Sequence, residues 1–502
     1  MAKLNKDILL IIFEELQEDS KALFSSLMVN RIWCETAIPV LWRNPWSYSN
    51  INYKNKNYLF IIITCYIYDN IKKFITEQGI QLPSGSNQSL IFDYLSFCRS
   101  VNVNAINSII SIGSSLPYNQ FSMQKEFYSF IMRKCHELKY LDMSSIKHQI
   151  FYFPEAKARI ESLCELKCDT SIDFSYFYGL SHFCQSIQRL TVDNTYPKPN
   201  HGIVKLIEVQ KNLKHFEWKD DFDDDYLTED PYEEIFIALE KKANSLNYLK
   251  VFFQYVEGIE NTLIQEILPK LSKLKILIID DYLYFTDKQL EQLKMMIYNE
   301  LEVINIEFSR LDVMSNIIEN NGRYLKKILF KPYNIMDIDL DLDDDFDTNS
   351  LKFICKVYEN CPSIEYLSLI FPSTEKHFIE FEKLLKICKN LKSLLIVIFN
   401  NEEEDTYEDS LKNGKKLLKI LTRSAPTNLK EIRLGDEFKF SLKCFRKFLE
   451  NWRGRNALSI FTIDSIFITE DYIKLIDEYK SDGVIKDFKY APYSSGLIYY
   501  CA

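Results

Sequence analysis

The chain has 502 residues, of which 47% are hydrophobic and 26% charged, so it can bury a substantial core and is not an intrinsically disordered protein. Its formal net charge of −10 and the lack of a basic block argue against a nucleic-acid-binding protein. With only 12 glycines and 14 prolines, the composition also argues against Gly-rich phosphate loops, collagen and low-complexity linkers.

The first of three amphipathic segments at the N-terminus predicts a helix that is apolar over most of its circumference. Asn5 is a suitable N-cap, because its side-chain oxygen can accept from a free backbone N–H, and Asp7 suits the positive end of the helix dipole. Residues at spacings of three and four predict one wide apolar stripe, made of Ile8, Leu9, Ile12, Phe13 and Leu16. Leu10 and Ile11 fall outside this stripe.

Two further short segments complete this N-terminal unit, which ends at residue 46. Glu18, Asp19 and Ser20 supply a turn and a cap for a helix over about 23–29. The third segment carries four apolar residues, is broken by a proline and closes with two further apolar residues: Ile32, Trp33, Ala37 and Ile38, then Pro39, then Leu41 and Trp42. Three such helices carry more large apolar side chains than they can bury alone, so the sequence predicts that they need a partner. The alternative is that they begin a larger core.

The order of three blocks in this unit resembles the F-box, by which substrate receptors of SCF-type ubiquitin ligases dock onto the Skp adaptor. The blocks read Asp-Ile-Leu-x-x-Ile-Phe-x-x-Leu, Val-Asn-Arg-x-Trp and Leu-Trp-Arg, and they cover about a tenth of the chain. The family usually has Pro where Asn5 stands and often Cys where Asn30 stands. The resemblance implies that nine residues divide between the helical core and the adaptor contact: Leu4, Ile8, Leu9, Ile12, Phe13, Leu16, Trp33, Leu41 and Trp42.

Residues 47–137 are predicted to form a helical connector that caps the following array. The longest apolar run, 58–68, is interrupted by Thr64 and is too short to span a bilayer, so it predicts a buried helix. Segments 71–77 and 89–98 have helical patterns, and residues 82–88 give a clear loop signal.

From residue 138 onward, the pattern apolar-x-x-apolar-x-apolar occurs twelve times, mostly at intervals of 24 to 29 residues. We call each occurrence a repeat phrase. The phrases start at Leu138, Leu163, Ile187, Leu213, Leu246, Leu274, Leu301, Leu325, Ile364, Leu391, Leu429 and Leu458. Lys takes the second place in six of them, and helical patterns such as 127–135, 290–298 and 378–388 lie between phrases.

A helix followed by a short strand at this interval is similar to the leucine-rich repeat, although the strict Asn/Cys position of the best-defined repeats is missing. The array resembles the long, irregular repeats behind many F-boxes, of the type expanded in fungi and lower eukaryotes. We therefore predict an α/β fold with an F-box-like segment (1–46), a helical connector (47–137), about twelve repeats (138–490) and a tail (491–502). An α-helical solenoid of HEAT type is the alternative, but it does not explain β-favouring runs such as 394–399.

In each repeat strand, the fourth and sixth places face inward, and the third and fifth places face the open side of the sheet. The predicted target-binding face consists of Tyr140, Arg189, His215, Tyr248, Ile276, Lys327, Tyr366, Leu395 and Arg433. This mixture of aromatic, apolar and basic side chains suits a protein surface better than a nucleic acid or a phosphate cluster.

Three long intervals hold acidic insertions at 220–234, 337–347 and 402–409, each after a repeat strand. Because parallel strands all point the same way, we expect these loops to leave the array along one rim. They either keep a large surface soluble or form a negative rim that attracts a basic partner, with steering that weakens as salt rises.

Residues with catalytic or metal-binding chemistry form no recognisable site. The histidines, at 136, 148, 182, 201, 215 and 377, are scattered, and Cys-x-x-Cys pairs, P-loops and nucleophile elbows are missing. The Asp-rich stretch 337–347 lacks the Gly and the closing Glu of an EF-hand. Cys164 and Cys168 suit a core, and twelve cysteines without a signal peptide favour a reduced cytoplasmic or nuclear protein.

The sequence therefore predicts a non-catalytic substrate-recognition subunit of an SCF-type ubiquitin ligase. Its expected partners are the Skp adaptor, through it a cullin scaffold, and a target protein with a possible basic patch. We expect no cofactor, metal, nucleic acid or membrane as a partner. The alternatives are a leucine-rich-repeat interaction scaffold without a ligase role and an acidic nuclear chaperone for basic proteins.

Overall fold

The structure is a computed structural model that describes residues 5–490, except for 18, 49–52, 224–228, 255–261, 281–287, 289–290, 293–294, 296, 308–310, 330–345, 400–406 and 436–438. The chain divides into two compact units, Met1–Lys242 and Ala243–Ala502. The four segment boundaries predicted from the sequence stay predictions.

Three short helices open the first unit: α1 (Lys6–Glu15), α2 (Ser20–Ser26) and α3 (Arg31–Leu41). Both α1 and α2 pack against α3. The predicted break at Pro39 is wrong, because α3 continues through this residue. A proline removes only its own N–H from the helix ladder, and Pro39 stands close to the end of α3, where little of the ladder remains to be disturbed.

Side-chain caps begin two of these three helices. Asp19 accepts from the backbone N–H of Ala22 at 3.0 Å, which confirms the predicted cap of α2. Asn30 accepts from the backbone N–H of Trp33 at 3.0 Å and caps α3. Asn5 stands before α1 but makes no such bond, because its amide nitrogen instead lies 3.5 Å from the carboxylate of Asp7. The predicted side-chain cap at Asn5 is therefore wrong.

The described α-helices of the connector are α4 (Tyr53–Cys65), α5 (Asp69–Glu77), α6 (Tyr94–Phe97), α7 (Val103–Ile110) and α8 (Pro117–Lys134). The apolar run predicted as a buried helix lies mostly in α4, where Leu59, Phe60 and Ile63 are buried. The predicted helix over 71–77 is confirmed in α5, and that over 127–135 in α8. The helix predicted over 89–98 is reduced to α6, because residues 89–93 form an irregular turn.

Five parallel strands, each paired with the next in sequence, form the sheet of the first unit. They are β1 (Ser100–Asn102), β2 (Tyr140–Asp142), β3 (Glu165–Asp169), β4 (Arg189–Asn194) and β5 (His215–Asp220). The helices that follow β2 to β5 are α9 (Ala156–Ile160), α10 (Phe174–Phe183), α11 (His201–Val209) and α12 (Glu233–Glu240).

Nine parallel strands form the sheet of the second unit. They are β6 (Tyr248–Phe252), β7 (Ile276–Asp280), β8 (Val303–Glu307), β9 (Lys327–Leu329), β10 (Tyr366–Pro372), β11 (Ser393–Phe399), β12 (Glu431–Leu434), β13 (Leu458–Thr462) and β14 (Ile485–Tyr490). Its described helices are α13 (Thr262–Ile267), α14 (Leu311–Asn321), α15 (Phe346–Asn360), α16 (Glu375–Ile387), α17 (Tyr407–Ser424), α18 (Leu442–Trp452) and α19 (Glu470–Ser481).

All twelve predicted repeat phrases lie on strands β2 to β13, and the first apolar residue of every phrase is fully buried. The α/β leucine-rich-repeat arrangement is thus confirmed, and the all-helical alternative is wrong. The last phrase is one residue out of register, because Ile460 rather than Phe461 pairs with Ile432 and faces inward. Strands β1 and β14 lie outside the twelve predicted phrases and were not predicted.

The acidic insertions follow β5, β9 and β11 in chain order. Residues 224–228, 330–345 and 400–406 lie outside the described residues, so the negative rim stays a prediction. Four of the nine residues of the helical pattern 290–298 also lie outside them, so that helix stays a prediction too. The predicted helix over 378–388 is confirmed in α16. Over the described ranges, the chain holds no helix with the length and apolar character needed to cross a membrane.

Candidate protein-interaction surfaces

Helix α1 carries two apolar stripes that face in different directions. Leu9 and Phe13, four residues apart, are each 1% exposed. Ile8, Ile11 and Ile12 recur at spacings of three and four and are 49%, 62% and 40% exposed. The predicted single wide stripe is therefore divided, because α3 covers only one side of the helix.

Further apolar side chains are exposed at the end of α2 and the start of α3. Met28 and Val29 lie in the turn between these helices, and Ile32 lies in the first turn of α3. Together with the outer stripe of α1, we call them the exposed N-terminal set: Ile8, Ile11, Ile12, Met28, Val29 and Ile32. Large exposed apolar patches are typical of surfaces that bind other molecules, so this set is a candidate for a binding surface.

The inner side of the same helices is fastened to the rest of the first unit. The rings of Phe13 and Trp33 meet edge to face with centroids 5.6 Å apart. Trp42 packs on Tyr94 of α6 with centroids 4.6 Å apart. The indole N–H of Trp46 donates to the carbonyl of Ser100 in β1 at 2.7 Å. These contacts give the N-terminal helices a fixed place on the connector.

The nine predicted adaptor residues therefore differ widely in exposure. Ile8 and Ile12 are exposed, and Leu16 and Trp33 are half-buried. Four are buried in the interior of the unit: Leu9, Phe13, Leu41 and Trp42. Leu4 lies outside the described residues. The sequence did not single out Met28, Val29 and Ile32, whose exposure depends on how α2 and α3 meet.

A polar cleft lies between the N-terminal helices and the first strands of the sheet, with a volume of about 650 Å³. Its lining includes Gln17, Asn44, Trp46, Lys56, Asn102, Asn104, Lys139, Tyr140, Asp142 and Glu165. Burial raises the pKa of Tyr140 to about 12, and the neighbouring carboxylates of Asp142 and Glu165 add to this effect. Tyr140, predicted on the target-binding face, is half-buried in this cleft.

The open side of the sheet in the first unit is largely occupied by charges that neutralise each other. Arg189 is exposed and lies 3.7 Å from the carboxylate of Glu165. On the same two strands, β3 and β4, Lys167 and Asp193 form an ion pair at 2.8 Å. His215, also predicted on the target-binding face, is mostly buried and contacts Glu217 through its ring.

The open side of the sheet in the second unit is more apolar and aromatic. Tyr248 and Ile276 are half-buried on β6 and β7. The ammonium group of Lys327 lies 4.9 Å from the ring centroid of Tyr366, and the guanidinium of Arg433 lies 4.5 Å from that of Phe461. Aromatic residues and Arg are enriched in protein interfaces, so Tyr366, Phe461 and Arg433 suit a surface of this kind.

Leu395, predicted on the target-binding face, is fully buried, so this prediction is wrong. The run Ser393–Phe399 is apolar on both faces of β11. On the open side, Leu395 packs in a cluster with Val397 and Ile463. Period two places a residue on the open side, but it does not show whether other side chains then cover it.

Buried polar groups at the ends of the first-unit strands escaped the sequence analysis. The carboxylate of Asp220 accepts from the Trp218 indole at 2.9 Å, from the Asn194 amide at 2.8 Å and from the Tyr232 hydroxyl at 2.7 Å. Thr170 in the preceding repeat donates to the Asn194 side chain at 2.9 Å. A polar residue at the eighth place of successive phrases was the available signal, and its role is to join neighbouring repeats.

One group of side chains has the composition of a hydrolase triad. The ring of His377 lies 2.9 Å from the Ser350 hydroxyl and 3.8 Å from the carboxylate of Asp347. Ser350 and His377 are 0% and 1% exposed, so a substrate cannot reach the hydroxyl. Burial lowers the pKa of His377. These three residues join α15 to α16 and carry no accessible chemistry.

In the part of the chain that the structure describes, no group of three His, Cys, Asp or Glu side chains could hold a metal ion. Cys168 is buried, as predicted, and burial raises its thiol pKa. Cys164 is partly exposed.

No family model matches the chain, and no curated protein sequence matches it. Three solved structures resemble it at low sequence identity. A crystal structure of the Rad7 and Elc1 complex in yeast is 14% identical with a TM-score of 0.36, covering 80% of this chain and 92% of that chain. The leucine-rich-repeat-containing protein LegL7 from Legionella pneumophila is 12% identical with a TM-score of 0.33, covering 62% and 97%. A protein from Bacteroides fragilis is 13% identical with a TM-score of 0.28, covering 62% and 68%.

Proposed function

We propose that the chain is the substrate-recognition subunit of an SCF-type ubiquitin ligase. Its N-terminal segment docks the Skp adaptor and, through it, a cullin scaffold, and its repeat array binds a target protein. The observation that carries this proposal is the exposed N-terminal set, five of whose six residues lie within the first two of the three blocks that resemble an F-box. A helical unit with its own packed core, yet with a second apolar stripe in water, is suited to a partner that covers that stripe.

The subunit acts by holding its target close to a reaction that takes place elsewhere in the complex. A target bound on the array is presented to a ubiquitin-conjugating enzyme, and the gain is effective concentration. The contacts of Trp42 and Trp46 fix the N-terminal helices on the first unit, so that adaptor and first repeats keep a constant geometry. Such rigidity favours transfer, because it limits the volume that a target lysine must search.

The exposed isoleucines of α1 are the residues to change in a test. Ile8→Asp plus Ile12→Asp puts two charges on the outer stripe and leaves Leu9 and Phe13 in the core. Because loss of an apolar anchor at the centre of an interface can cost about 2 kcal/mol or more, we expect the double variant to lose co-purification with the Skp adaptor of the same organism. The full-length chain should keep its circular dichroism spectrum.

A matched control places the same charges on another exposed helix surface. Ile379→Asp plus Ile387→Asp changes two exposed isoleucines of α16, in the second unit. This variant should co-purify with the adaptor as well as the unmodified chain does. Undiminished co-purification of the Ile8 and Ile12 variant would refute the docking assignment.

A second candidate function is an interaction scaffold without a ligase role. The aromatic and apolar open side of the second unit favours protein binding whether or not an adaptor is present. Under this alternative, the unmodified chain would not bind the adaptor at all.

A further inference from the structure

A groove between α17 and α18 in the second unit has an unusual concentration of positive charge. Its volume is about 310 Å³. The residues that line it are Lys415, Leu418, Lys419, Thr422, Arg423, Cys444, Lys447, Phe448 and Asn451, and we call this site the basic groove. Every charged residue in this lining is a cation, although the chain as a whole has a formal net charge of −10.

The lysines of this groove lack the ion pairs that neutralise nearby cations. Lys416 pairs with Glu375, Arg423 with Glu382, and Arg446 with Glu478 at 3.0 Å. By contrast, five exposed lysines on the same two helices have no ion-pair partner among the described residues: Lys412, Lys415, Lys419, Lys443 and Lys447. Their charges are available to a ligand.

The spacing of these lysines works against helix stability. Lys415 and Lys419 stand four residues apart on α17, and Lys443 and Lys447 stand four apart on α18, so each pair shares one helix face. Like charges at this spacing destabilise a helix. Side-chain arrangements that lower helix stability without a compensating structural contact are expected at functional sites.

Between its cationic walls, the groove has an apolar floor. Leu418 and Phe448 are buried beneath it, and Cys444 is half-buried. Thr422 donates its hydroxyl to the carbonyl of Leu418 at 2.7 Å, and the Asn451 amide donates to the carbonyl of Lys447 at 2.7 Å. These donors are satisfied within their own helices, so that the lysine ammonium groups are the main donors left for a ligand.

We propose that the basic groove binds an acidic amphipathic segment of a partner protein. Apolar side chains of the segment lie on the floor, and its Asp and Glu side chains pair with Lys415, Lys419 and Lys447. A nucleic acid fits less well, because the ring of Phe448 is buried and offers no face for base stacking. The inference goes beyond adaptor docking and does not rest on it.

The test measures, by fluorescence anisotropy, how tightly the full-length chain binds a fluorescein-labelled helical peptide. The peptide consists of Glu, Ala and Leu, with leucines at positions i, i+3 and i+7. Lys415→Glu plus Lys419→Glu plus Lys447→Glu should weaken binding at least tenfold. The control Lys389→Glu plus Lys480→Glu plus Lys486→Glu alters three exposed lysines elsewhere in the second unit by the same charge, and it should stay within twofold of the unmodified chain. Added salt should weaken binding, because the contacts are exposed charge pairs.

Three results would overturn the proposal. An equal loss in the control variant would show that net charge alone attracts the peptide. Equal affinity for a peptide with Ser in place of Leu would show that the apolar floor is not used. Tighter binding of a single-stranded oligonucleotide, lost in the same groove variant, would assign the site to nucleic acid. Should the groove variant fail to fold, the corresponding three Lys→Gln changes give the same comparison.

Discussion

At the residue scale, the position three residues before a repeat phrase is occupied by side chains that fit between neighbouring repeats. Four repeats have Cys there, at Cys135, Cys184, Cys361 and Cys388, and all four are buried. Burial raises the pKa of Cys135 to about 11 and those of Cys184 and Cys388 to about 12. These thiols stay protonated and serve as packing groups.

Gln210 takes this position in a fifth repeat and replaces packing by hydrogen bonds. Its carbonyl accepts from the N–H of Ile187 at 2.9 Å, and its amide donates to the carbonyls of Cys184 and Leu206 at 2.9 and 2.8 Å. Gln210→Ala leaves buried backbone groups unpaired, so we expect the free energy of unfolding to fall by about 2–4 kcal/mol in urea titrations. The control is Gln188→Ala, at an exposed glutamine next to Ile187. This change should alter the free energy of unfolding by less than about 0.5 kcal/mol. Equal effects would contradict this account.

Glu382 gives the second unit a pH-dependent contribution to stability. Burial tends to raise its pKa, but pairing with Arg423, Lys386 and Ser424 outweighs burial and holds the pKa at about 2, below the ordinary 4.5. Because the folded pKa is depressed, the carboxylate stabilises the fold above the ordinary value, and this contribution is lost as the pH falls from about 4.5 to about 2.

Replacement of this carboxylate should therefore matter most near neutral pH. We expect Glu382→Gln to lower the free energy of unfolding by about 1 kcal/mol at pH 7 and by progressively less below pH 4.5. Glu359→Gln, at an exposed site on α15, should have little effect at either pH. A difference between Glu382→Gln and the unmodified chain that persists unchanged in acid would refute the assignment.

The sequence revealed some of these residue roles and concealed others. The spacing of Cys135, Cys184 and Cys361 from the following phrase is visible in the sequence, and it is a usable signal for the repeat. The burial of Leu395 was not predictable, because it depends on side chains that cover the open side of β11. The meeting of Ser350 with His377 likewise depends on how two helices pack.

At the element scale, the backbone at the second place of the phrase joins neighbouring repeats within each unit. The carbonyl of Lys139 accepts from the N–H groups of both Cys164 and Glu165 at 2.9 Å. The same double acceptor recurs at Cys164, Gln188, Asn247, Lys275, Glu302, Lys326, Glu365 and Lys392. Because these bonds need no particular side chain, the second place tolerates Lys, Cys, Gln, Asn or Glu.

The first place of the phrase, by contrast, depends on its side chain. Leu274 is fully buried at the start of its phrase, and Ile276 two residues later is only half-buried. Leu274→Ala should lower the free energy of unfolding by about 2–5 kcal/mol, because it leaves a cavity between strand and helix. Ile276→Ala should cost less than about 1.5 kcal/mol. Thermal or urea unfolding measures both variants. A larger loss of unfolding free energy in Ile276→Ala than in Leu274→Ala would show that Ile276, and not Leu274, faces the core.

The helical period of α1 showed which residues share a face but not which face is covered. Leu9 and Phe13 face α3, and Ile8 and Ile12 face outward, although all four belong to the same predicted stripe. Only the position of α3 decides between these sides. Helical periodicity alone therefore could not predict that Ile8 and Ile12 are the exposed residues of the candidate site.

At the scale of the whole molecule, the regular phrase spacing was sufficient to predict the α/β repeat fold and twelve of the fourteen described strands. The division into units at Lys242 and Ala243 was not predicted, since it depends on contacts between distant residues. The two units also differ in the side chains on the open side of the sheet, and the repeat phrase does not specify these side chains. Paired charges occupy the open side of the first unit, and aromatic and apolar groups occupy that of the second.

The central claim is that a second polypeptide covers the apolar side chains that the N-terminal helices leave in water. Isothermal titration calorimetry of the full-length chain with purified Skp adaptor, at several temperatures, tests it most directly, because burial of apolar surface gives a negative heat-capacity change on binding. We predict binding with a clearly negative heat-capacity change, which is lost in the Ile8→Asp plus Ile12→Asp variant and kept in the Ile379→Asp plus Ile387→Asp control. A titration without binding heat at any temperature, or one that the first variant leaves unaltered, would contradict the account.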